Sequence, residues 1–216
     1  MIQIKKFVFN MFNENTFVIW DDKSKECAII DPGCSTASEE LVFENFIEGQ
    51  SLKVNFLINT HCHIDHIFGC RFVKEKFNAV YYAPEKDLPL IKNAKTQAEM
   101  VGVQFSDQVL PDKYITEETK INIGGSQLEY LFTPGHTPGE YCIYLQKEKF
   151  CITGDVLFYD SIGRTDLWGG NYETLINSIK NKLLTLSDET KIFPGHGEES
   201  TIFRERTQNP FLIELN

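Results

Sequence analysis

The chain has 216 residues, of which 42% are hydrophobic and 24% are charged, a composition that is ordinary for a globular protein with a sizeable core. Its formal net charge of −10 argues against a nucleic-acid-binding protein, because such a protein needs a basic face. No apolar stretch approaches the length of a signal peptide or a membrane span, so we expect a cytoplasmic location and no membrane partner.

The N-terminal part predicts an antiparallel start followed by a helix. Alternating apolar residues indicate strands over residues 2–9, 16–20 and 26–31. The third strand ends at Asp31, which either hydrogen-bonds a ligand histidine from behind or only shapes the turn that follows. Thr36 and Glu39 form a capping-box pattern, which predicts a helix as far as Gly49. The residues expected on its inward face are Leu41, Val42, Phe46 and Ile47.

The next strand, Val54–Ile58, leads into three histidines and an aspartate within six positions. Phenylalanines and a valine recur at helical spacing from Phe68 to Phe77, so the polar residues should lie on a loop between strand and helix. Loops at strand ends are where a rigid scaffold presents ligands. Imidazole nitrogen and carboxylate oxygen together suit zinc, iron or manganese. The four candidate ligands are His61, His63, Asp65 and His66.

The six cysteines lack the spacing of a disulfide framework, which predicts reduced thiols, mostly in the core. Cys62 stands between two candidate ligands. Successive side chains of an extended segment point to opposite sides, so we expect Cys62 to pack behind the site. The others are Cys27, Cys34, Cys70, Cys142 and Cys151.

Beyond a brief strand at residues 79–82, the segment 84–118 carries the weakest pattern. Residues 84 to about 101 are polar and helical, and Pro89 must begin or interrupt a helix there. The charges of this segment are most simply those of a solvated face, and a lid over the site is the alternative.

The second half repeats the order of strands followed by a helix. Asn171 can cap a helix that runs through Leu184, and residues 201–207 predict a last short helix. The predicted strands are Lys120–Ile123, Gln127–Phe132, Tyr141–Leu145 and Phe150–Thr153.

The two remaining histidines occupy matching positions. His136 and His196 each follow an apolar strand and a Pro-Gly turn. All five histidines of the chain therefore stand at the ends of predicted strands, and together they predict a metal site.

Four motifs in this order resemble the metallo-β-lactamase superfamily over most of the chain: Thr60-His61-Cys62-His63-Ile64-Asp65-His66, Gly135-His136-Thr137, Thr153-Gly154-Asp155 and Gly195-His196-Gly197. The resemblance implies an α/β (α+β) fold of the four-layer αββα sandwich type, and we expect one domain over residues 1–216. The segment 161–170 resembles short bacterial glyoxalase II-like hydrolases, and its Gly-Arg-Thr-Asp part also resembles persulfide dioxygenases.

The resemblance implies two divalent metal ions, zinc or else iron or manganese. One ion would be held by His61, His63 and His136, the other by Asp65, His66 and His196, and Asp155 would bridge them. Asp65 and Asp155 are the predicted catalytic carboxylates. Seven ligands shared by two ions leave positions open for water, which is typical of a catalytic site.

A metal ion lowers the pKa of its bound water from about 15.7 toward about 7, so hydroxide is available to attack a carbonyl carbon. A thioester is the substrate that requires the fewest further catalytic groups, because its thiol has a pKa near 8.5 and leaves as the thiolate without a general acid. Arg164 either clamps a substrate carboxylate or pairs with Asp160 or Asp166, and Tyr172 is a candidate pocket wall.

The leading hypothesis is therefore a hydrolase of small-molecule thioesters such as S-2-hydroxyacylglutathione. The alternatives are a persulfide dioxygenase with one iron held by His61, His136 and Asp155, a lactone or ester hydrolase, and a non-catalytic metal-stabilised protein. A secreted β-lactamase is disfavoured by aspartate, rather than cysteine, at position 155. Only 20 residues follow His196, too few for the helical domain that helps glyoxalase II enzymes hold glutathione, so the thiol carrier stays open, as does the oligomeric state.

Overall fold

The structure is a computed structural model that describes residues 1–103, 105 and 109–213. Its strands are β1 (Ile2–Phe9), β2 (Glu14–Asp21), β3 (Glu26–Ile30), β4 (Lys53–Ile58), β5 (Val80–Ala83), β6 (Lys113–Tyr114), β7 (Ile121–Ile123), β8 (Ser126–Phe132), β9 (Tyr141–Leu145), β10 (Phe150–Gly154), β11 (Leu157–Phe158), β12 (Ser161–Ile162), β13 (Lys191–Pro194) and β14 (Ser200–Thr201). Its α-helices are α1 (Ala37–Gly49), α2 (Ile64–Ile67), α3 (Cys70–Phe77), α4 (Leu88–Lys92), α5 (Ala94–Met100), α6 (Tyr172–Ser178) and α7 (Ile202–Gln208).

Two six-stranded mixed sheets form the framework. The first has the order β1-β2-β3-β4-β5-β6, and the second has the order β14-β13-β10-β9-β8-β7. Strands β3 to β6 are parallel to one another, and so are β10 and β13. Parallel neighbours require crossover connections, which α1 provides between β3 and β4 and which α2 and α3 provide between β4 and β5.

Three apolar clusters separate four layers. One lies between the first sheet and helices α1, α3, α4 and α5 and contains Phe43 and Leu57. The second lies between the two sheets and contains Ile19, Ile143 and Ile152. The third lies between the second sheet and helices α6 and α7. The order of helices, sheet, sheet and helices confirms the predicted αββα sandwich. That residues 1–216 form one domain stays a prediction.

Helix α1 confirms the predicted capping box, since the Thr36 hydroxyl and the Glu39 side chain both make their bonds. Its predicted inward face is wrong in part, because Leu41 and Val42 are both 56% exposed. The buried residues are Phe43 and Ile47. Successive helical residues are about 100° apart around the axis, so Leu41 points away from the side that carries Phe43. Phe46 is half-buried against the same cluster, as predicted.

The weakly patterned segment contains a 3₁₀ turn, Glu85–Asp87, and then α4 and α5. Pro89 lies in the first turn of α4, where a missing N–H costs nothing, so it begins a helix. One side of this helix pair is buried against the first sheet through residues such as Leu90 and Ala94. The predicted solvated face therefore accounts for only part of this segment. Residues 104 and 106–108 of the segment lie outside the described residues.

The predicted strands and the helix after Asn171 are confirmed to within about two residues, and the helix continues as a π-helical turn, Ile179–Leu183. The strands that the sequence does not predict are β6, β11, β12 and β14, each of two residues. Segments this short carry no periodic pattern. Within the described residues, none of the helices combines the length and the apolar character needed to cross a bilayer.

Candidate metal centre

The seven candidate ligands meet at one edge of the sandwich, where strands from both sheets end. His61 and His63 follow β4, and Asp65 and His66 lie on the short helix α2. The other three follow β8, β10 and β13 and are His136, Asp155 and His196. All seven predicted positions are therefore brought together, although they are spread over 136 positions of the chain.

Two groups of three side chains each converge closely enough to hold an ion. In the first group, His61, His63 and His136 each offer a ring nitrogen, and these nitrogens lie within 4.8 Å of one another. In the second group, one atom each of Asp65, His66 and His196 meets the same limit. Here Asp65 Oδ2 lies 3.1 Å from His196 Nε2 and 3.7 Å from His66 Nε2.

Asp155 lies between the two groups. Its Oδ1 is 3.4 Å from His66 Nε2, and its Oδ2 is 3.5 Å from His136 Nε2 and 3.6 Å from His196 Nε2. Two ligands about 2.1 Å from one tetrahedral ion are roughly 3.4 Å apart. The spacing around Asp155 therefore fits atoms that share an ion better than it fits direct hydrogen bonds.

The buried polar atoms of the site also fit a cation. Among the residues that the structure describes, His61 Nε2, His66 Nε2 and Asp155 Oδ1 are buried and have no hydrogen-bond partner. An unsatisfied buried polar group costs about 1–3 kcal/mol. Since imidazole nitrogens and carboxylate oxygens are ligands for zinc, iron and manganese, these groups can bind a divalent metal ion.

The histidines differ in how their surroundings shift their pKa. Burial lowers the pKa of His61 well below its usual value and lowers the pKa of His63 to about 3, so both rings are neutral, as coordination requires. Burial also acts to lower the pKa of His66, but Asp65 and Asp155 outweigh it, and this pKa is raised.

The second ring nitrogen of three histidines has a hydrogen-bond partner in the protein. His136 Nδ1 donates to the Arg164 carbonyl oxygen at 2.8 Å, and His196 Nδ1 donates to the Phe12 carbonyl oxygen at 3.1 Å. Such contacts fix the ring orientation of a ligand histidine. His61 Nδ1 lies 3.1 Å from the Thr60 hydroxyl oxygen. His66 Nδ1 has no hydrogen-bond partner among the described residues and lies 3.3 Å from Asp31 Oδ2 and 3.9 Å from Glu14 Oε1.

Asp31 lies behind the ligands, and its predicted hydrogen bond to a ligand histidine stays a prediction. Its Oδ2 lies 3.3 Å from His66 Nδ1, and its two oxygens accept hydrogen bonds from Thr60 and from the Asn59 side chain. Asp31 also groups with His61 and His66 as a possible metal set. Because its oxygens already accept three bonds, we expect it to orient a ligand ring.

Glu140 is a functional residue that the sequence did not reveal. It is fully buried, its Oε1 lies 3.5 Å from His61 Nδ1, and the same oxygen accepts a hydrogen bond from the Asp155 N–H at 2.8 Å. Burial raises the pKa of this carboxyl group well above its usual value. In the sequence, Glu140 is a single glutamate before an apolar strand, and no local pattern around it predicts its contact with His61.

Asp87 was also missed, and it joins the two loops that carry the first ligand group. Its Oδ2 accepts from the Cys62 N–H at 3.2 Å and from the Thr137 hydroxyl at 2.8 Å. Its Oδ1 accepts from the Gly139 N–H at 2.8 Å. The side chain is fully buried, so these three bonds form one internal link between loops that are distant in sequence.

Two glycines allow the close approach of backbone to the central aspartate. A Cβ atom on Gly195 would stand 2.2 Å from Asp155 Oδ1, and a Cβ atom on Gly163 would stand 1.9 Å from the Asp155 carbonyl oxygen. Non-bonded atoms cannot approach this closely. The glycines of the Pro-Gly-His and Gly-Arg-Thr-Asp motifs are therefore required by packing at the site.

The ligands open into a cavity of about 540 Å³. Its floor includes Asp65 and Asp155, and its apolar walls come from several elements. Helix α5 contributes Gln97 and Met100, so the weakly patterned segment borders the site. The remaining lining residues are Phe12, His63, Ile64, Val101, His136, Phe158, Arg164, Leu167 and His196.

The two candidate substrate residues are placed differently. Arg164 borders the cavity, but its Nε and Nη2 both donate to the Asp166 carboxylate at 2.8 Å, which is the structural pairing that the sequence left open. Asp160 instead pairs with Arg204. Tyr172 begins α6, is half exposed, and is not part of the lining of the cavities found among the described residues.

Cys62 is fully buried in the cluster between the first sheet and its helices, which confirms the predicted packing behind the site. All six cysteines are buried and carry free thiols. The backbone N–H of Cys62 is the group that serves the site, through its bond to Asp87.

Comparison with known proteins identifies close relatives. The sequence profile of the metallo-beta-lactamase superfamily matches residues 10–196. Hydroxyacylglutathione hydrolase GloC of Haemophilus influenzae is 41% identical over 203 residues, which are 93% of this chain and 93% of that protein. The crystal structure of BLEG-1 B3 metallo-beta-lactamase has a TM-score of 0.88 and 32% identity, covering 97% of this chain and 99% of that one. The crystal structure of TTHA1623 in a di-iron-bound form has a TM-score of 0.85 and 30% identity, covering 96% of this chain and 100% of that one.

Proposed function

The chain belongs to the metallo-β-lactamase superfamily, and we propose that it is a dinuclear metal-dependent hydrolase of small-molecule thioesters. The observation that carries this proposal is the convergence of two complete ligand groups on opposite sides of Asp155. His61, His63 and His136 would hold one ion, Asp65, His66 and His196 the other, and Asp155 would contact both. Zinc is the metal expected from the sequence, and the di-iron form of TTHA1623 makes iron the main alternative.

Bound divalent ions would supply Lewis acidity, which lowers the pKa of water toward about 7 and stabilises negative charge on a carbonyl oxygen. Asp65 lines the cavity and would accept a proton from the attacking water through the carboxylate oxygen that does not hold an ion. Arg164 and Phe12 hold the rings of His136 and His196 through their carbonyl oxygens. The apolar walls limit the access of bulk water to the reacting carbonyl group.

A thioester fits the groups around this cavity. An amide would need a general acid to protonate its leaving nitrogen, whereas a thiol with a pKa near 8.5 leaves as the thiolate. Among the described lining residues, the histidines would be ligands and Arg164 is held by Asp166, so only Asp65 and Asp155, themselves proposed ligands, could return a proton to a leaving nitrogen, and a thiolate leaves without that proton. The name of the GloC relative agrees with thioester hydrolysis.

The persulfide dioxygenase alternative receives less support from this geometry. It would use one iron held by His61, His136 and Asp155, and it leaves the second ligand group without a role. The Gly-Arg-Thr-Asp motif that motivated it has a structural explanation, since Gly163 allows close packing and the Arg164 carbonyl oxygen orients His136.

The test combines metal analysis with thiol release. Protein purified without chelator or immobilised nickel should contain about two ions per chain and should release thiol from acetyl-N-acetylcysteamine or S-lactoylglutathione. Asp155→Asn should lose both properties, whereas Asp22→Asn, an exposed control that lies outside the site, should keep them. Metal-replete protein that releases no thiol would refute the proposal.

The same preparation separates the other candidate activities. A lactone and a β-lactam belong in the substrate panel, the latter because of the likeness to BLEG-1. Oxygen consumption with glutathione persulfide by iron-loaded protein would place the dioxygenase first. The cytoplasmic location expected from the sequence stays a prediction.

A further inference from the structure

A second cavity of about 490 Å³ adjoins the metal cavity. The two share His63, Gln97, Met100 and Leu167 in their linings, so they are direct neighbours, and we refer to them together as the groove. The second cavity runs along one side of α4 and α5 toward the loop at Trp168. A substrate whose carbonyl group is held at the ligands can therefore extend one arm into it.

Most of the lining of this second cavity is apolar. Pro89, Leu90, Met100, Leu167 and Trp168 present apolar surface. The polar members are the proposed ligand His63 and, beyond it, Asn93, Thr96 and Gln97. Asn93 Nδ2 donates to the Pro89 carbonyl oxygen and Gln97 Nε2 to the Leu90 carbonyl oxygen, each at 2.8 Å. Within the described residues, neither lysine nor arginine lines this cavity.

Arg164 is the one arginine or lysine that lines either part of the groove in the described portion of the chain. Its Nε and Nη2 both donate to the Asp166 carboxylate, which compensates part of its charge. The net charge of −10 adds a repulsion for anionic molecules. A substrate arm that carries carboxylates would find no lysine or arginine other than this paired Arg164 among the described lining residues.

The mouth of the groove also exposes an unusual amount of apolar surface. Met100 is 83% exposed, Trp168 is 55% exposed and Leu167 is 39% exposed, and all three line the second cavity. Large apolar side chains that meet at a cavity mouth are typical of a ligand-binding surface. An apolar arm that covers them removes their surface and its own surface from water.

We infer that this second cavity binds an uncharged, apolar arm of the substrate, so the favoured substrates are thioesters with an aliphatic or aromatic arm rather than thioesters of a carboxylate-rich thiol such as glutathione. This inference rests on the proposed thioester hydrolysis. In that reaction the C–S bond breaks, water supplies the oxygen of the new C–O bond and a proton to the thiolate, and an acid and a thiol are released. The arm is the acyl group or the thiol group, and the substrate series below distinguishes them.

The first test is a comparison of kcat/KM along two series. One series lengthens the acyl chain of N-acetylcysteamine thioesters from acetyl to octanoyl, and the other lengthens the alkyl thiol of acetyl thioesters. Burial of one CH2 group contributes about a fourfold gain, so one series should rise about fourfold per CH2 until the cavity is filled. The glutathione thioester of the same acyl group should have a kcat/KM at least about tenfold lower than the N-acetylcysteamine thioester. Independence of length in both series, or a preference for glutathione, would overturn the inference.

A pair of variants tests the site directly. Trp168→Ala should flatten the rising series, with kcat/KM for its longest substrates lowered about tenfold or more, and an unchanged Tm and metal content show that the variant is folded. Phe203→Ala is the matched control, because Phe203 is an aromatic residue of similar exposure, 54%, on α7 and outside the groove. Equal losses for short and long substrates in Trp168→Ala would contradict a binding role.

Binding without turnover separates this inference from the proposed function. The probe is S-hexyl-N-acetylcysteamine, a thioether that cannot be hydrolysed. The chain has two tryptophans, of which Trp20 is buried, so a change in fluorescence emission on adding the probe reports on Trp168. We expect a blue shift that saturates, is absent in Trp168→Ala and is weaker with S-hexylglutathione. A shift in protein that hydrolyses no thioester would support the groove and refute the hydrolase. Hydrolysis without a shift would refute the groove alone.

Discussion

Asp87 should stabilise the metal centre although it does not contact an ion. Asp87→Asn keeps the size of the side chain and replaces one acceptor oxygen by an NH2 group. If the amide oxygen takes the place of Oδ2, it can keep the bonds from Cys62 and Thr137, and the NH2 group then faces the Gly139 N–H. Two donors are left buried without acceptors, at about 1–3 kcal/mol each, and removal of the buried charge offsets part of this cost, so we expect a net loss of about 2–4 kcal/mol in the free energy of unfolding.

This loss should be measurable in two independent ways. For a chain of this size about 1 kcal/mol corresponds to roughly 2–4 °C, so Tm should fall by about 5–15 °C. Metal affinity should fall about 10–100-fold, because Asp87 holds the loops of His63 and His136 together. The assays are thermal unfolding and competition with a chromophoric chelator. Thr137→Val removes one of the three bonds and should have a smaller effect of the same kind.

Asp22→Asn is the control for the charge change, since Asp22 is exposed and lies far from the ligand loops. We expect it to keep the wild-type Tm and metal affinity. If Asp87→Asn keeps both as well, the link between the loops does not support the site, and the reasoning from buried hydrogen bonds is refuted. A loss of Tm with unchanged metal affinity would limit Asp87 to a role in folding.

Four further results are expected. Removal of metal by a chelator should lower Tm. The loss in free energy of unfolding should be about 4 kcal/mol if the ion was present at about a thousand times its Kd, and added zinc should restore Tm in the same assay. Gly195→Ala should abolish metal binding in elemental analysis, because its Cβ would stand 2.2 Å from Asp155 Oδ1, and a variant with full metal content would contradict this packing. Arg164→Ala should change KM for a neutral thioester less than about threefold, since the guanidinium group is held by Asp166, and a larger rise in KM would assign it to substrate binding. Burial raises the pKa of Asp87 from 3.8 to about 6, so the folded metal-free protein binds this proton more tightly than the unfolded chain does. The stability of the folded protein should therefore fall as pH rises from about 4 to about 6, by at most about 3 kcal/mol. Denaturant titrations at several pH values should show this fall in the wild type and not in Asp87→Asn.

The sequence alone predicted most of the strands along the chain, and its resemblance to the metallo-β-lactamase superfamily implied the sandwich and the seven candidate ligands. The strands and the positions of the histidines depend on local patterns, such as the apolar run that ends at His61 and the Pro-Gly turns before His136 and His196. An apolar period of two and a turn residue act over a few positions of the chain, so they are visible without the fold. The capping box at Thr36 is a local feature of the same kind.

Only the tertiary structure decided which groups support the ligands and what the groove can accept. Glu140 meets His61, and Asp87 meets Gly139, across packed layers and distant loops. The same packing turned Leu41 outward, paired Arg164 with Asp166, and set α5 beside the cavity. Contacts of this kind depend on how whole sheets and helices pack, so no short stretch of residues encodes them. In the sequence, a glutamate or aspartate that will be buried looks the same as one that will be exposed.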